Sequence, residues 1–303
     1  MITAIVLLSH GTRDTAGVSE FHRFCDEVNR VILARSPQFG LAPGELCVER
    51  AFLELCDPDV PTTLAACAEA GVERVVLVPL LLFEAGHAKQ DIPGLIDQAR
   101  RSGVHLPVDV VPPIGQDEVF IEVAAARVQA VVMAGDGQFA HAGARLPTGV
   151  QGHNVVANDG AALLFVGRGG TDPAARADAL AVAAAVAAVV ARTSGIGNWA
   201  SAFLAGPGPD VHAAARELLA RSSRLQRVVA LPYLWFTGRL VRALHGQLLG
   251  ALPDGVCLTM ADHLGCHPGL VERVACRALA FAFGSGRPGQ ELVATTVRSK
   301  WDE

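Results

Sequence analysis

Short unbroken apolar runs alternate along the chain with longer stretches whose apolar residues recur every three or four positions. The first run, "AIVLLS" at 4–9, reads as a buried strand, and the turn "HGTRD" follows it. Val18, Phe21, Phe24, Cys25, Val28, Val31 and Ile32 then fall at helical spacing. Next come a strand around "CVERAFL", a helix from Pro61 to Ala70, a strand through "RVVLVPLLLF" and a helix beginning after Asp91, read as its N-cap. A strand at "PVDVVPP" and a helix from Asp117 to Met133 close the series. Strands alternating with helices predict an α/β fold: a parallel sheet covered on both faces.

The series then repeats. "LLFVGRGGTD" lies on "AIVLLSHGTRD", so that Gly11 matches Gly169 and Asp14 matches Asp172, both 158 positions apart. "AFLAGPGPDV" lies on "AFLELCDPDV" at an offset of 151, matching Pro58 with Pro209 and Asp59 with Asp210. "RVVALPYLWF" lies on "RVVLVPLLLF" at an offset of 153, matching Pro79 with Pro232 and Phe83 with Phe236. Offsets that drift by a few residues are the mark of loop insertions in a duplicated domain. Residues 1–135 are read as the first domain, 136–160 as a linker, 161–284 as its repeat and 285–303 as a tail. Pro79 and Pro232 sit inside strand patterns, where a missing N–H suggests a local bulge near the strand end.

Composition narrows the functional classes. The chain's 303 residues are 51% apolar and 18% charged, enough for real cores and too apolar for disorder. A net charge of −5 argues against a general nucleic-acid binder. The apolar N-terminus lacks a positive n-region and a small-residue cleavage site, so it reads as a strand and not a signal peptide. The apolar segment Ala179 to Ala191, bounded by Asp178 and Arg192, falls short of the ~20 residues of a membrane span. A soluble, cytoplasmic protein is expected, a monomer by default. The seven cysteines are irregularly spaced with no C-x-x-C, which predicts free thiols and disfavours an iron–sulfur cluster or a thiolate zinc site.

In open parallel sheets, ligands bind beyond the carboxyl ends of the strands. His10 follows the first strand, His87 the third, and Glu54 stands at or just past the end of the second. With the first strand between the other two, all three share one cleft. Neutral imidazole and carboxylate suit Co²⁺, Fe²⁺, Ni²⁺ or Zn²⁺. The second repeat carries Arg168, Ala205 and Leu240 at these positions while keeping the framework glycines, prolines and aspartates. Scaffold and site have separated, so the chemistry is expected in the first repeat. Each residue also has an ordinary reading: a core or surface histidine, a solvated loop carboxylate. His263 and His267 stand at i, i+4, but Pro268 marks a helix start there, so they need not share a face.

The stretches "LLSHGTRD", "VERAFLELCDP" and "PLLLFEAGHAKQDIP" resemble the CbiX/SirB family of sirohydrochlorin chelatases. "VGRGGTD", "ALPYLWFTG" and "HLGCHPGLVERV" resemble the degenerate C-terminal half of its long members. The resemblance implies a class II chelatase fold of two tandem flavodoxin-like domains. It also implies insertion of a divalent metal, cobalt first and iron second, into sirohydrochlorin for cobalamin or siroheme. The family's two active-site histidines fall on His10 and His87 and its metal-binding glutamate on Glu54. The metal would be bound by His10, Glu54 and His87 as a substrate, with no resident cofactor. Arg13 and Lys89, near the two histidines, are candidates to pair with substrate carboxylates. The histidine-rich stretch or terminal cysteine cluster of some members is missing here.

Two other classes compete. A histidine-type phosphatase has an arginine before its nucleophilic histidine, where this chain has Ser9. A non-catalytic metal or tetrapyrrole carrier on the same scaffold would bind without turnover. A nucleotide site at "GRGGTD" is weaker, because Asp172 stands where G-x-G-x-x-G needs its last glycine.

Overall fold

The computed structural model describes residues 1–83, 86–134, 158 and 160–284, with backbone alone for residues 86–89. Apart from residues 158 and 160, the expected linker lies outside the described residues, as does the tail.

The first repeat runs β1 (Thr3–Ser9), α1 (Thr15–Arg35), β2 (Leu46–Phe52), α2 (Val60–Glu69), β3 (Arg74–Pro79), α3 (Gly86–Arg101), β4 (Val108–Val110) and α4 (Glu118–Met133). The second runs β5 (Ala161–Gly169), α5 (Pro173–Ser194), β6 (Asn198–Ala205), α6 (Val211–Arg221), β7 (Arg227–Tyr233), α7 (Arg239–Ala251), β8 (Cys257–Met260) and α8 (Pro268–Phe283). Each forms a four-stranded parallel sheet, β2-β1-β3-β4 and β6-β5-β7-β8.

The matched residues of the repeats do matched local work. Asp14 and Asp172 cap α1 and α5, accepting from Ala16 N at 3.0 Å and Ala174 N at 2.8 Å. Asp59 and Asp210 cap α2 and α6 in the same way, from Thr62 N at 2.8 Å and Ala213 N at 2.7 Å. The paired prolines need no bulge, contrary to expectation. The β1–β3 ladder stays in register through Leu8 opposite Pro79. Val75 N bonds Pro107 O and Val111 N bonds Leu77 O, so alternate residues of β3 face β4. Pro79 takes that same side beyond the last β3–β4 pair, where no ladder partner awaits an N–H.

The two compact units do not divide where the repeats do. One gathers Met1–Gly115 with the described residues from Cys266 on; the other is Gln116–Gly265. In the first unit, Ala4, Val6 and Leu8 of β1 pack with Val60, Leu64 and Cys67 of α2 and Ile92, Ile96 and Ala99 of α3. The opposite face is covered by α1 and by α8, which packs on α1 and β3. Arg74 holds α8 from the sheet, bonding Asp109 Oδ2 and the carbonyl of Ala282, both at 2.8 Å, and Arg35 pairs with Glu272. In the second unit, α6 and α7 cover one face through Val211, Ala214, Leu218, Leu244 and Leu248. There α5 and α4 cover the other, α4 packing on α5 and β7. Each repeat's last helix thus completes the other repeat's unit.

Two elements differ from the sequence reading. The helix expected after Asp91 begins at Gly86, so Asp91 is an exposed residue inside α3 and not its cap. Pro93 lies within that helix as well; in its second turn it removes a single intrahelical bond. The apolar run in the second repeat extends to a 22-residue helix, α5, long and apolar enough by composition to cross a membrane. Ala179, Val182, Ala183, Val186, Ala187 and Val190 bury one face of it, so it serves as a sheet-covering helix.

Candidate functional site

β1 ends at Ser9, opposite Phe52, the last residue of β2. The ladder then runs two bonds past the strands: Leu53 N donates to Ser9 O at 2.9 Å and Glu54 N to His10 O at 3.1 Å. This registers the two candidate residues side by side at the carboxyl edge of the sheet. His10 Nδ1 lies 3.5 Å from Glu54 Oε1, with the side chains 33% and 59% exposed. Both side chains reach solvent at this edge. Two donors each about 2.0–2.2 Å from one ion, at a tetrahedral angle, lie roughly 3.3–3.6 Å apart. The pair has the spacing of two ligands of a single metal.

Gly11 makes that approach possible. Its φ is +94, and a Cβ there would stand 3.0 Å from the Glu54 carbonyl carbon, with the oxygen nearer still. Gly169 repeats the arrangement, with φ +76 and the Ala205 carbonyl carbon at 3.1 Å. The close crossing is a property of the scaffold that both sheets keep. At the second crossing, however, the side chains are Arg168 and Ala205, both exposed, and an alanine offers no ligand atom.

His87 and Lys89 fall in the first turn of α3, after β3; their side chains lie outside the described residues. The loop leading there is braced by Leu80 N to Leu8 O at 2.7 Å and by Ile114 N and Gly115 N to Leu81 O and Leu82 O at 3.0 and 2.8 Å. Arg13 is exposed in the β1–α1 turn that carries His10. Among the described residues, no three His, Cys, Asp or Glu side chains are grouped to hold a metal. His267 caps α8, its Nδ1 accepting from Gly269 N at 3.1 Å, with Pro268 in the first turn. The cysteines are all free; burial pushes Cys67 up to about 11 and raises Cys25 further, so neither is a ready thiolate.

One residue at this edge escaped the sequence reading. Among the described residues Leu55 alone of the non-glycines has a positive φ, +68. A left-handed conformation costs an L-residue about 1–2 kcal/mol. The only sequence signal was indirect: at the offset that pairs Glu54 with Ala205, Leu55 pairs with Gly206, whose φ is +78.

The sequence model of the CbiX family matches residues 4–131 and 162–280. The chain is 27% identical over 269 residues to a sirohydrochlorin ferrochelatase of Priestia megaterium, covering 89% of this chain and 86% of the relative. It is 26% identical over 229 residues to a sirohydrochlorin cobaltochelatase of the same organism, covering 75% and 67%. Among solved structures it is similar to SirB from Bacillus subtilis with Fe3+, at a TM-score of 0.65, 23% identity and 94% and 97% of the two chains. That last likeness is one of fold.

Proposed function

The chain belongs to the CbiX family, and from that premise we propose that it is a sirohydrochlorin chelatase, a lyase that inserts a divalent metal into the tetrapyrrole. Relatives named for iron and for cobalt both support the reaction class; cobalt is taken first and iron second. The observation that carries the reading is the His10–Glu54 pair, 3.5 Å apart at the open edge of the first sheet, set against the second repeat, where the same crossing survives without ligands.

In the reaction M²⁺ replaces two pyrrole N–H protons. The cation must shed water, stand against the ring, and have a base at hand when each proton leaves. His10, Glu54 and His87 are assigned to hold the metal, and His10 and His87 to accept the protons. A neutral imidazole lone pair can hold the metal first and, once that bond breaks as the metal passes to the ring nitrogens, take up the proton the ring releases near pH 7. Fixing cation and base at one sheet edge supplies the positioning on which such a step depends. Arg13 and Lys89 are assigned to the ring's carboxylates. The metal leaves with the product, so it is a substrate. The protein acts as a cytoplasmic monomer, its chemistry confined to the first repeat.

The test is anaerobic. Sirohydrochlorin is mixed with Co²⁺ or Fe²⁺ and its absorption followed with native protein, His10→Ala and His87→Ala. Acceleration by native protein, lost in both variants while the fold is kept, is expected. Ring binding with no acceleration for either metal would leave a carrier.

A further inference from the structure

Leu55 brings three properties together at the edge of the site. It is strained, with φ +68; it is apolar yet 51% exposed; and it directly follows Glu54. Strain of this kind persists where the surroundings impose it, and it gathers at functional sites. The second repeat shows that the scaffold does not require it. There Gly206 holds the same left-handed turn at φ +78 without strain, and its loop has closed in until a Cβ would meet Gly170 O at 2.7 Å. In the first repeat the loop stands open enough for a full side chain. The Leu55 Cβ lies beside the turn that carries His10, 3.7 Å from where a Cβ on Gly11 would be. The repeat that carries the His10–Glu54 pair also carries the strained leucine, and the other repeat has glycine there.

We infer that Leu55 is a substrate-contact residue, an apolar rest for the flat face of the tetrapyrrole beside the His10–Glu54 pair. This rests on the chelatase reading and adds to it the residue that seats the ring. A macrocycle with a charged rim and an apolar face needs both kinds of partner. Carboxylate-binding cations hold its edge, and an apolar side chain beside the ligands sets the height of the ring above the metal. Half-covering one leucine with a ring face strengthens ring binding about tenfold.

Equilibrium titration of the full chain with metal-free sirohydrochlorin, followed by its fluorescence, tests this without requiring turnover. The variants are Leu55→Gly, which copies the second repeat, and Leu55→Asn, which keeps a side chain tolerant of positive φ. Ring affinity about tenfold weaker in both, with a melting temperature equal to or above that of native protein, is the expected result. Unchanged affinity in both variants overturns the inference. A fall in melting temperature in both also overturns it, because Leu55 would then be a packing residue. Absence of metal insertion by native protein overturns the chelatase reading instead, whatever the titrations give. A native chain that binds no ring overturns the two together.

Discussion

Replacing Gly11 by alanine separates two costs that the structure keeps apart elsewhere. The first is conformational: a left-handed φ costs an L-residue about 1–2 kcal/mol. The second is steric. The new Cβ would lie 3.0 Å from the Glu54 carbonyl carbon, while carbons in comfortable contact stand about 3.5–4.0 Å apart, and the carbonyl oxygen is nearer still. The Glu54 backbone has to retreat by roughly 1 Å, at the 1–3 kcal/mol typical of overpacking. Gly11→Ala is thus expected to cost about 2–5 kcal/mol. Gly44, with φ +88 and nothing within 4 Å of its built Cβ, carries the first cost alone. Gly169, with φ +76 and the Ala205 carbonyl carbon at 3.1 Å, carries both but lies in the repeat that has Arg168 and Ala205 in place of the His10–Glu54 pair. Denaturant unfolding should rank Gly44→Ala as the mildest, with Gly11→Ala and Gly169→Ala similar to each other. Metal insertion should fall about 100-fold in Gly11→Ala alone, the scale on which a 1 Å misplacement of a reacting group is felt. Gly11→Ala no less stable than Gly44→Ala would refute the close approach. Equal activity loss in Gly11→Ala and Gly169→Ala would refute placing the chemistry in the first repeat.

Two further outcomes can be checked on the protein alone. Burial, then the Arg50 guanidinium, hold His22 below its ordinary 6.5 against the opposing pull of Asp26. The unfolded chain therefore takes up this proton more readily, and stability is lost as pH falls through and below 6.5 but not above it. His22→Gln should flatten that acid limb of the melting temperature, and an unaltered limb would exclude His22 as its source. A chain ended at Gly265 lacks α8, whose Leu270, Val271, Val274 and Leu279 are buried. At about 1.5–3 kcal/mol each, they match the whole 5–15 kcal/mol of a typical domain. Residues 1–115 should then be cut rapidly under limited proteolysis; protection equal to the full chain would show that α8 is dispensable.

Much of this was legible from residues alone, for identifiable reasons. Strand order and the meeting of His10 with Glu54 follow from alternation and from the geometry of parallel sheets, and duplication made the framework visible by repeating it. Local signals misled where two structures share them. "DIP" at Asp91 has the look of a cap and a first-turn proline, yet both residues lie inside α3. The composition of the units left no mark at all, because α4 and α8 need the same amphipathic stripe whichever sheet they cover. Leu55 was hidden for a related reason, since a leucine's sequence says nothing of a φ imposed by its surroundings.

The crossed ownership of α4 and α8 bears on how the protein is made and kept. The strands that carry His10 and Glu54 are synthesised first, but the helix that covers their sheet is encoded from Pro268 to Phe283. At ribosomal rates of about 5–20 residues per second, that helix emerges roughly 10–30 s after Gly115. In the interval one apolar face of the first sheet has only α1 upon it. A chain cut anywhere between the two repeats therefore loses part of the first unit, because α8 lies beyond the whole second sheet in the sequence.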